Sequence, residues 1–170
     1  MRRKFIVEAT LEFLKSEKPL LARIISSSFY LSHGIRKDVI LQFYFSDTMK
    51  IATFYGDRLK HVHVDEISLL GILKKIERNM GRSERQIKVH DGILLEKPQS
   101  PKLEADFIVE NNGPLLEQVV PAVKASLSFF LPLTTPPMSP ARGVRIRATS
   151  KPKPPDVTIA IVNIKLDRLA

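Results

Sequence analysis

The chain has 170 residues, of which 44% are hydrophobic, so it is long enough to bury a core within one domain. Its 27 basic and 18 acidic residues give a formal net charge of +9, which favours a polyanionic partner, nucleic acid first and an anionic membrane surface second. The absence of cysteine excludes disulfide scaffolds, thiolate metal sites and cysteine nucleophiles. No apolar run reaches the roughly 18 residues of a membrane span and no signal peptide is evident, so we expect a cytoplasmic protein. The four histidines are scattered along the chain, and we expect no metal site.

The first half of the chain alternates between strand and helix patterns. Residues 4–9 predict a strand, and helical spacing of apolar residues after Pro19 predicts a helix that Gly34 ends. Val39–Phe45 is apolar almost throughout, which predicts a strand covered on both faces. Two further strands are predicted at residues 51–55 and 59–64.

The second half continues this alternation. Asp65 is predicted to cap a helix that runs to Met80, and the Asp-Gly pair at residues 91–92 predicts a hairpin. The remaining predictions are a strand at Ala105–Val109, a helix at Leu115–Ala125 kinked at Pro121, and strands at Leu127–Leu131, Val144–Arg147 and Val157–Ile164. This order predicts an α/β fold with a largely parallel sheet flanked by helices.

A proline-rich basic insert at residues 132–155 interrupts the single domain that we predict for residues 1–170. It holds seven prolines, and no acidic residue lies between Glu117 and Asp156. Because residues 144–147 alternate between apolar and basic, Arg145 and Arg147 are expected to project from one face. Together with Arg142 they are predicted to contact RNA phosphates; the alternative is a solvated loop whose charges protect a sheet edge.

Few residues suggest chemistry by their spacing alone. There is no phosphate-binding P-loop and no glycine-rich dinucleotide fingerprint. His61 and His63 would share one face of the predicted strand, where two half-exposed histidines are favoured over a metal pair. The loop Glu110–Pro114 follows a strand, and ligands of open α/β sheets collect at the carboxyl ends of strands.

Three segments resemble a known family. Residues 29–39, FYLSHGIRKDV, resemble the signature "FFLSHGIRRDV" of the archaeal tRNA pseudouridine-54 N1-methyltransferases, which belong to the SPOUT superfamily. Residues 54–60, FYGDRLK, followed by Asp65 and Glu66, are similar to the family's "F-x-G-x-x-L…P-D-E". Residues 159–168 are similar to its last strand and "N-x-L-D-R" ending.

The resemblance implies a SPOUT-type sheet with a carboxyl-terminal trefoil knot, and a homodimer whose active site forms between the two copies. It implies methylation of structured RNA, tRNA above all, with S-adenosyl-L-methionine as the methyl donor. By the same resemblance Arg36 and Asp38 are catalytic. We expect Arg36 and Lys37 to meet phosphate and Asp38 to position or deprotonate the base. Asp38 could equally serve as a helix–strand boundary cap.

The cofactor loops depart from the family pattern. Where the family has "G-D-H-x-G", this chain has Glu110, Asn111, Asn112 and Gly113. The resemblance assigns cofactor binding to Val109, Glu110, Gly113, Leu131, Pro132 and Leu133. We expect Gly113→Val to abolish donor binding and to leave the fold intact. The alternative function is a non-catalytic RNA-binding paralogue or a dimeric assembly factor; an open pocket at these loops would favour the enzyme, and a filled one the paralogue.

Overall fold

The computed structural model describes residues 1–63, 65–100, 103–120, 124–134, 137 and 141–169. The strands in these residues are β1 Arg2–Ala9, β2 Tyr30–Leu31, β3 Gly34–Ile35, β4 Val39–Phe45, β5 Lys50–Tyr55, β6 Gln86–His90, β7 Ile93–Glu96, β8 Glu104–Val109, β9 Ser126–Pro132 and β10 Arg142–Ile146. The helices are α1 Leu11–Ser16, α2 Lys18–Phe29, α3 Glu66–Asn79, α4 Leu116–Val119 and α5 Pro155–Leu169.

Eight strands form one sheet in the order β10-β8-β9-β1-β4-β5-β7-β6. The first five of these strands pair in parallel, and the last three are joined antiparallel. The prediction of an α/β fold with a largely parallel sheet is confirmed. Because the five parallel strands point the same way, their carboxyl ends meet at one edge of the sheet, called here the carboxyl edge. Their starts define the amino edge.

The two faces of the sheet are covered differently. Phe5 and Phe129 stack with ring centroids 5.6 Å apart in the larger core cluster, which also holds buried side chains from all five helices. Their neighbours Ile6 and Phe130 point to the opposite face, where they form a smaller cluster with strand residues. Both sets are buried, which explains why the central strands are apolar almost throughout.

The carboxyl-terminal segment contradicts its prediction: residues 157–164, predicted as a strand, lie in α5. The buried side chains of this helix recur at helical spacing: Ile159, Val162, Asn163 and Leu166. Pro155 occupies the first turn, where its missing N–H removes no hydrogen bond, and Asp156 adds a favourable negative charge there. The segment is rich in β-branched residues, but packing against α2 overrides that weak local preference.

Two predictions fail at turns near the amino edge. The helix α2 ends at Phe29 and Gly34 is not its cap, because residues 30–31 pair with residues 34–35 in a short antiparallel ribbon. Residues 59–63 form no strand, since His61 has a positive φ of 55° and breaks the extended run. His61 and His63 therefore do not share a strand face.

The predicted helix at Leu115–Ala125 is mostly absent from the described residues. Only Leu116–Val119 is helical, and Val120 is already extended. The expected kink at Pro121 lies outside the described residues. The other predicted elements are confirmed with shifts of a few residues, and Asp65 caps α3 by accepting a hydrogen bond from the Ser68 N–H at 2.8 Å. The carboxyl-terminal knot stays a prediction.

Candidate active site

A cavity of about 330 Å³ opens at the carboxyl edge of the sheet, between the loops that follow β8, β9 and β10. We call it the carboxyl-edge cavity. Its lining includes five of the six residues predicted to bind the cofactor: Val109, Glu110, Leu131, Pro132 and Leu133. The volume lies within the range of small-molecule sites, about 300–1,000 Å³.

Backbone hydrogen bonds fix the walls of this cavity to the strands. The Glu110 N–H donates to the Ile146 carbonyl at 2.9 Å, which joins the ends of β8 and β10. The Leu133 N–H donates to the Glu8 carbonyl at 3.0 Å, which joins the end of β9 to β1. Parallel pairing thus brings together loops that are far apart in the sequence.

Gly113 has a different role from the one expected. It does not line the cavity, and its φ is +98°, a conformation that L side chains rarely adopt. A Cβ atom at this position would lie 2.6 Å from the Arg145 carbonyl oxygen, which belongs to the backbone of β10. The expectation that Gly113→Val leaves the fold intact is therefore wrong, and the glycine is required for loop packing.

The polar groups of the cavity suit a nucleoside ligand. Within the described part of the chain, the backbone N–H groups of Asn111, Asn112, Thr149 and Ser150 have no hydrogen-bond acceptor. These four residues line the cavity, so backbone donors without a protein acceptor lie on the loops around a space large enough for a ligand. Glu110 adds a partly buried carboxylate, whose Oε2 lies 3.6 Å from Nη1 of Arg145.

Lys165 of α5 holds the loop after β10, which forms one wall of the cavity. Its ammonium donates to the Ala148 carbonyl at 2.7 Å and to the Glu117 carboxylate at 2.6 Å. The hydrogen bond from Lys165 is the main reason that the pKa of Glu117 lies below its ordinary value. Lys165 therefore joins α4, α5 and the loop after β10, and it is a positioning residue for that loop.

The predicted catalytic residues Arg36 and Asp38 lie in an ionic cluster, which we call the arginine–aspartate cluster: Arg3, Arg36, Asp38 and Asp167. Arg36 donates two hydrogen bonds to the Asp167 carboxylate, at 2.8 and 2.7 Å. Arg3 donates to Asp167 at 2.6 Å, and its Nε lies 3.3 Å from Asp38. Two of the segments that carry the family resemblance, around Arg36 and around Asp167, therefore meet in space.

The third segment packs against the same place. The Gly56 N–H donates to the Val39 carbonyl at 2.9 Å, and a Cβ on Gly56 would lie 2.1 Å from the Arg36 carbonyl oxygen. Nearby, the Tyr30 hydroxyl donates to the His63 carbonyl at 3.1 Å. Burial, with a further contribution from the Asp65 carboxylate, raises the pKa of Tyr30 to about 12, so this donor stays protonated.

The arginine–aspartate cluster and the carboxyl-edge cavity lie at opposite ends of the sheet. Val7 of β1 pairs with Phe43 of β4 on one side and with Leu131 of β9 on the other, so Phe43 and Leu131 lie at the same position along the strand direction. Phe43 is five residues beyond Asp38 in the chain. At about 3.3 Å per residue this separation is about 16 Å. Asp38 therefore does not reach a ligand in the cavity of its own protomer.

The predicted RNA-contacting residues are placed in two regions. Lys37 is exposed at the amino edge, beside the arginine–aspartate cluster. Arg142 and Arg145 are exposed on the edge strand β10. Arg147 is half-buried; its backbone N–H donates to the Pro114 carbonyl, and its Nε has no partner within the described residues. Arg145 meets the cavity lining through the Glu110 carboxylate.

Sequence reasoning missed several residues of these sites. Arg3 lies outside the quoted motifs, and nothing in its local sequence marks it. Asp167 falls within a quoted motif but received no role. In the described residues, no group of three or more histidine and acidic residues is arranged to hold a metal ion. No helix of the described part is both long and apolar enough to cross a bilayer.

The chain is similar to known proteins in two ways. A family model described as "Putative SAM-dependent RNA methyltransferase" matches residues 15–103, just over half of the chain. The crystal structure of Archaeoglobus fulgidus Nep1 bound to S-adenosylhomocysteine matches the fold with a TM-score of 0.61, at 7% identity, over 99% of each chain. None of the curated protein sequences matches this chain.

These similarities cover different parts of the molecule. The family model spans the signature at residues 29–39 but stops before the loops of the carboxyl-edge cavity. The structural similarity extends over the whole chain and confirms the SPOUT-type fold. The methyl donor predicted from the resemblance, S-adenosyl-L-methionine, is the cofactor of the matched family. The chain therefore belongs to the family of S-adenosylmethionine-dependent RNA methyltransferases.

Proposed function

We propose that the protein methylates N1 of a pseudouridine in tRNA, with S-adenosyl-L-methionine bound in the carboxyl-edge cavity. The observation that carries this proposal is the open cavity at the predicted cofactor loops, because a non-catalytic paralogue is expected to have filled it. The choice of tRNA and pseudouridine rests on the resemblance of residues 29–39 and 54–60 to that family.

The residues of the cavity fit this cofactor. When bound, S-adenosylmethionine supplies a methyl group activated by a positively charged sulfonium. The unpaired N–H groups of Asn111, Asn112, Thr149 and Ser150 are available to an adenine nitrogen or a carboxylate. The Glu110 carboxylate is an acceptor, which suits a ribose hydroxyl or an ammonium group. Backbone donors tolerate the side-chain departures from the family pattern.

The distance of about 16 Å between Asp38 and the cavity of its own protomer supports a shared site in a homodimer. In that arrangement the amino edge of one copy faces the cavity of its partner. The helix α5 offers an apolar surface for the contact, because Val157 and Ile164 lie on one side of it, two turns apart, and are 38% and 48% exposed. The apolar face of α2 does not offer such a surface, because its side chains are buried within the protomer.

Within this shared site the roles of the signature residues separate. The Arg36 guanidinium is held by Asp167, so we assign it to orienting the cluster rather than to direct phosphate binding. Lys37 is exposed beside it and is assigned to phosphate. The Asp38 side chain is 38% exposed, and Arg3 is its one ion-pair partner within the described residues, so its carboxylate remains accessible to position or deprotonate a base.

The test combines donor binding with product analysis. Calorimetry with S-adenosylmethionine and S-adenosylhomocysteine measures binding, and nucleoside mass spectrometry of tRNA transcripts prepared with and without pseudouridine identifies the methylated base. We expect micromolar donor binding and one new N1-methylpseudouridine when the transcript contains pseudouridine. Asp38→Asn should abolish transfer with unchanged donor affinity, while the matched control Glu12→Gln, at an exposed position of α1, should behave like the wild type.

Other outcomes assign the protein differently. If neither compound binds at millimolar concentration, the protein is a non-catalytic RNA-binding paralogue. If a different nucleoside gains the methyl group, the result supports RNA methylation and contradicts the assignment of pseudouridine as the target. If Asp38→Asn retains full transfer, Asp38 is a boundary cap and not part of the catalytic site.

A further inference from the structure

A second depression lies between α1 and α3, and neither the family resemblance nor the proposed chemistry uses it. We call it the α1–α3 groove. It is open, with a volume of about 760 Å³. Four cationic side chains line it: Lys15, Lys74, Lys75 and Arg78. Within the described part of the chain, none of these four forms an ion pair or donates a side-chain hydrogen bond.

The negative groups of the groove lining itself are already neutralised. The one acidic residue of the lining, Glu77, forms an ion pair with Lys18 of α2. The carbonyls at the end of α3, which carry the negative end of the helix dipole, are capped by the buried Lys50 ammonium, which contacts the carbonyls of Met80 and Arg82. Within the described residues, the groove lining therefore carries four cationic side chains without an ion pair and one neutralised carboxylate. The Asp47 carboxylate lies outside the lining and accepts hydrogen bonds from the Leu11 N–H, at the opening of α1.

The groove lies on the same edge of the sheet as the carboxyl-edge cavity. Its residue Leu11 opens α1, directly after β1, and is three residues beyond Glu8, whose carbonyl accepts the hydrogen bond from Leu133 in the cavity wall. On the far side the cavity lining includes Lys151 and Lys153. Positive charge thus flanks the cavity on both sides along one edge of the molecule.

We infer that the α1–α3 groove binds backbone phosphates of the RNA strand whose target base is presented at this edge, an inference that rests on the proposed function. Unpaired lysine and arginine side chains bind phosphate and release counterions from the nucleic acid. Such contacts position the RNA and carry no sequence information. A membrane surface is the poorer fit, because no groove residue is a large exposed apolar side chain that could enter a bilayer.

Gly71 provides a single-site test. It lies in the groove lining on α3, and a Cβ built at this position has no atom within 4 Å, so a side chain fits without a clash. Gly71→Glu places a negative charge one turn before Lys74 and Lys75, whereas Gly71→Gln has the same shape without the charge. We expect Gly71→Glu to weaken binding of a fluorescein-labelled tRNA transcript about tenfold, and Gly71→Gln to bind within about twofold of the wild type.

A charge-deletion series tests the same groove independently. The Lys74→Ala, Lys75→Ala, Arg78→Ala triple variant should lower the slope of log affinity against log salt by about 2, since each phosphate contact contributes roughly 0.7–0.9. The matched control removes three exposed cations outside the groove: Arg2, Lys60 and Arg85. It changes the net charge equally and should lower the slope by less than about 1. Alanine favours helix, so α3 is retained.

The outcomes separate this inference from the proposed function. Calorimetry with S-adenosylhomocysteine on each variant should give the wild-type affinity, because the groove does not line the cavity. If the wild type binds RNA and both groove variants match their controls, the groove inference is wrong and the methyltransferase proposal stands. If the wild type binds phosphatidylserine vesicles but no RNA, both are overturned.

Discussion

At the scale of single residues, Asp167 shows how one carboxylate joins three elements. It accepts hydrogen bonds from Arg36, after α2, and from Arg3 of β1, while it belongs to α5 itself. The hydrogen bond from Arg36 is the main cause that lowers the pKa of Asp167, burial opposes it, and Arg3 lowers it further. Because Arg3 is buried, its charge depends on Asp167 and Asp38 for compensation.

Asp167→Asn is expected to lower the free energy of unfolding by about 2 kcal/mol near neutral pH, since charge-assisted hydrogen bonds to two arginines are lost. The pKa of Asp167 is depressed in the folded state, so its contribution is fully present above the unfolded pKa of about 3.9 and is lost as the pH falls through the lower folded value. Urea unfolding should therefore show the gap between wild type and variant narrowing below about pH 4. A gap that widens in acid would contradict this assignment. Exposed Asp57→Asn is the control.

Gly113 and Gly34 form a second residue-scale test. Gly113→Ala forces a side chain into a positive φ and against the Arg145 backbone, and we expect a loss of about 1–3 kcal/mol of stability. At Gly34 a Cβ meets no atom within 4 Å, and Gly34→Ala should change stability by less than about 0.5 kcal/mol. Equal unfolding midpoints for the two variants would refute the structural role of Gly113.

At the scale of elements, α5 has two functions on two faces. One face packs on α2 and contributes Ile159, Val162 and Leu166 to the larger core cluster. The helix also carries Lys165, which holds the loop after β10, and Asn163, whose amide donates to the Ser27 carbonyl at 3.0 Å. Its free apolar side is the surface that we assign to dimer formation.

Ile164→Lys should convert the proposed dimer to a monomer, because it places a charge at the centre of the free side of α5. Light scattering at micromolar concentration measures the mass. Val144→Lys, at a similarly exposed apolar residue on β10, is the control and should stay dimeric. A wild-type protein that is monomeric at this concentration would count against the shared site, and with it the roles of Arg36 and Asp38.

Lys165→Met should weaken binding of S-adenosylhomocysteine about tenfold, since the loop at Ala148 loses its anchor. The same change removes the partner of Glu117. Calorimetry measures the affinity, and Arg168→Met, on the same helix without a partner in the described residues, is the control. Unchanged affinity in Lys165→Met would show that the loop is held by other contacts.

At the scale of the whole molecule, the candidate functional regions lie at two opposite edges of the sheet. The carboxyl edge carries the carboxyl-edge cavity and the α1–α3 groove, whereas the amino edge carries the arginine–aspartate cluster and the segments that resemble the family. Each protomer thus presents the carboxyl-edge cavity and the signature residues at opposite ends. The shared site that we propose between two copies would bring them together.

The basic edge strand β10 adds a separate prediction for the molecule's RNA affinity. Replacing Arg142 and Arg145 by alanine should reduce affinity for a tRNA transcript and lower the salt slope by about 1.5, if both contact phosphate. Fluorescence anisotropy at several salt concentrations measures both quantities. Unchanged affinity and slope would identify the arm as solvated edge protection, the alternative noted above.

The sequence by itself determined the local elements whose patterns are strong. Through resemblance it also indicated the broader class of S-adenosylmethionine-dependent RNA methyltransferases, whereas the pseudouridine-54 family stays a prediction. The apolar run Val39–Phe45 predicts β4, the capping residue Asp65 predicts the start of α3, and the Asp91–Gly92 turn predicts the hairpin of β6 and β7. Each of these predictions uses neighbouring residues and needs no distant contact. The loop Glu110–Pro114 was predicted at a strand end where ligands collect, and the structure places it beside the loop after β9 in one cavity; cofactor binding there stays a prediction. Local chemistry was sufficient for the elements, and the resemblance supplied the pairing of the two loops.

The tertiary structure decided everything that depends on distant partners. Residues 157–164 are helical because α2 offers a packing surface, although their β-branched content indicates a strand. Gly113 must stay glycine because the backbone of β10 passes beside it, and Arg36 is bound to a carboxylate 131 residues away. The opposite placement of signature and cavity follows from strand order and direction, which local sequence does not encode. Such contacts join segments that are distant in the sequence, so the pattern of neighbouring residues does not predict them.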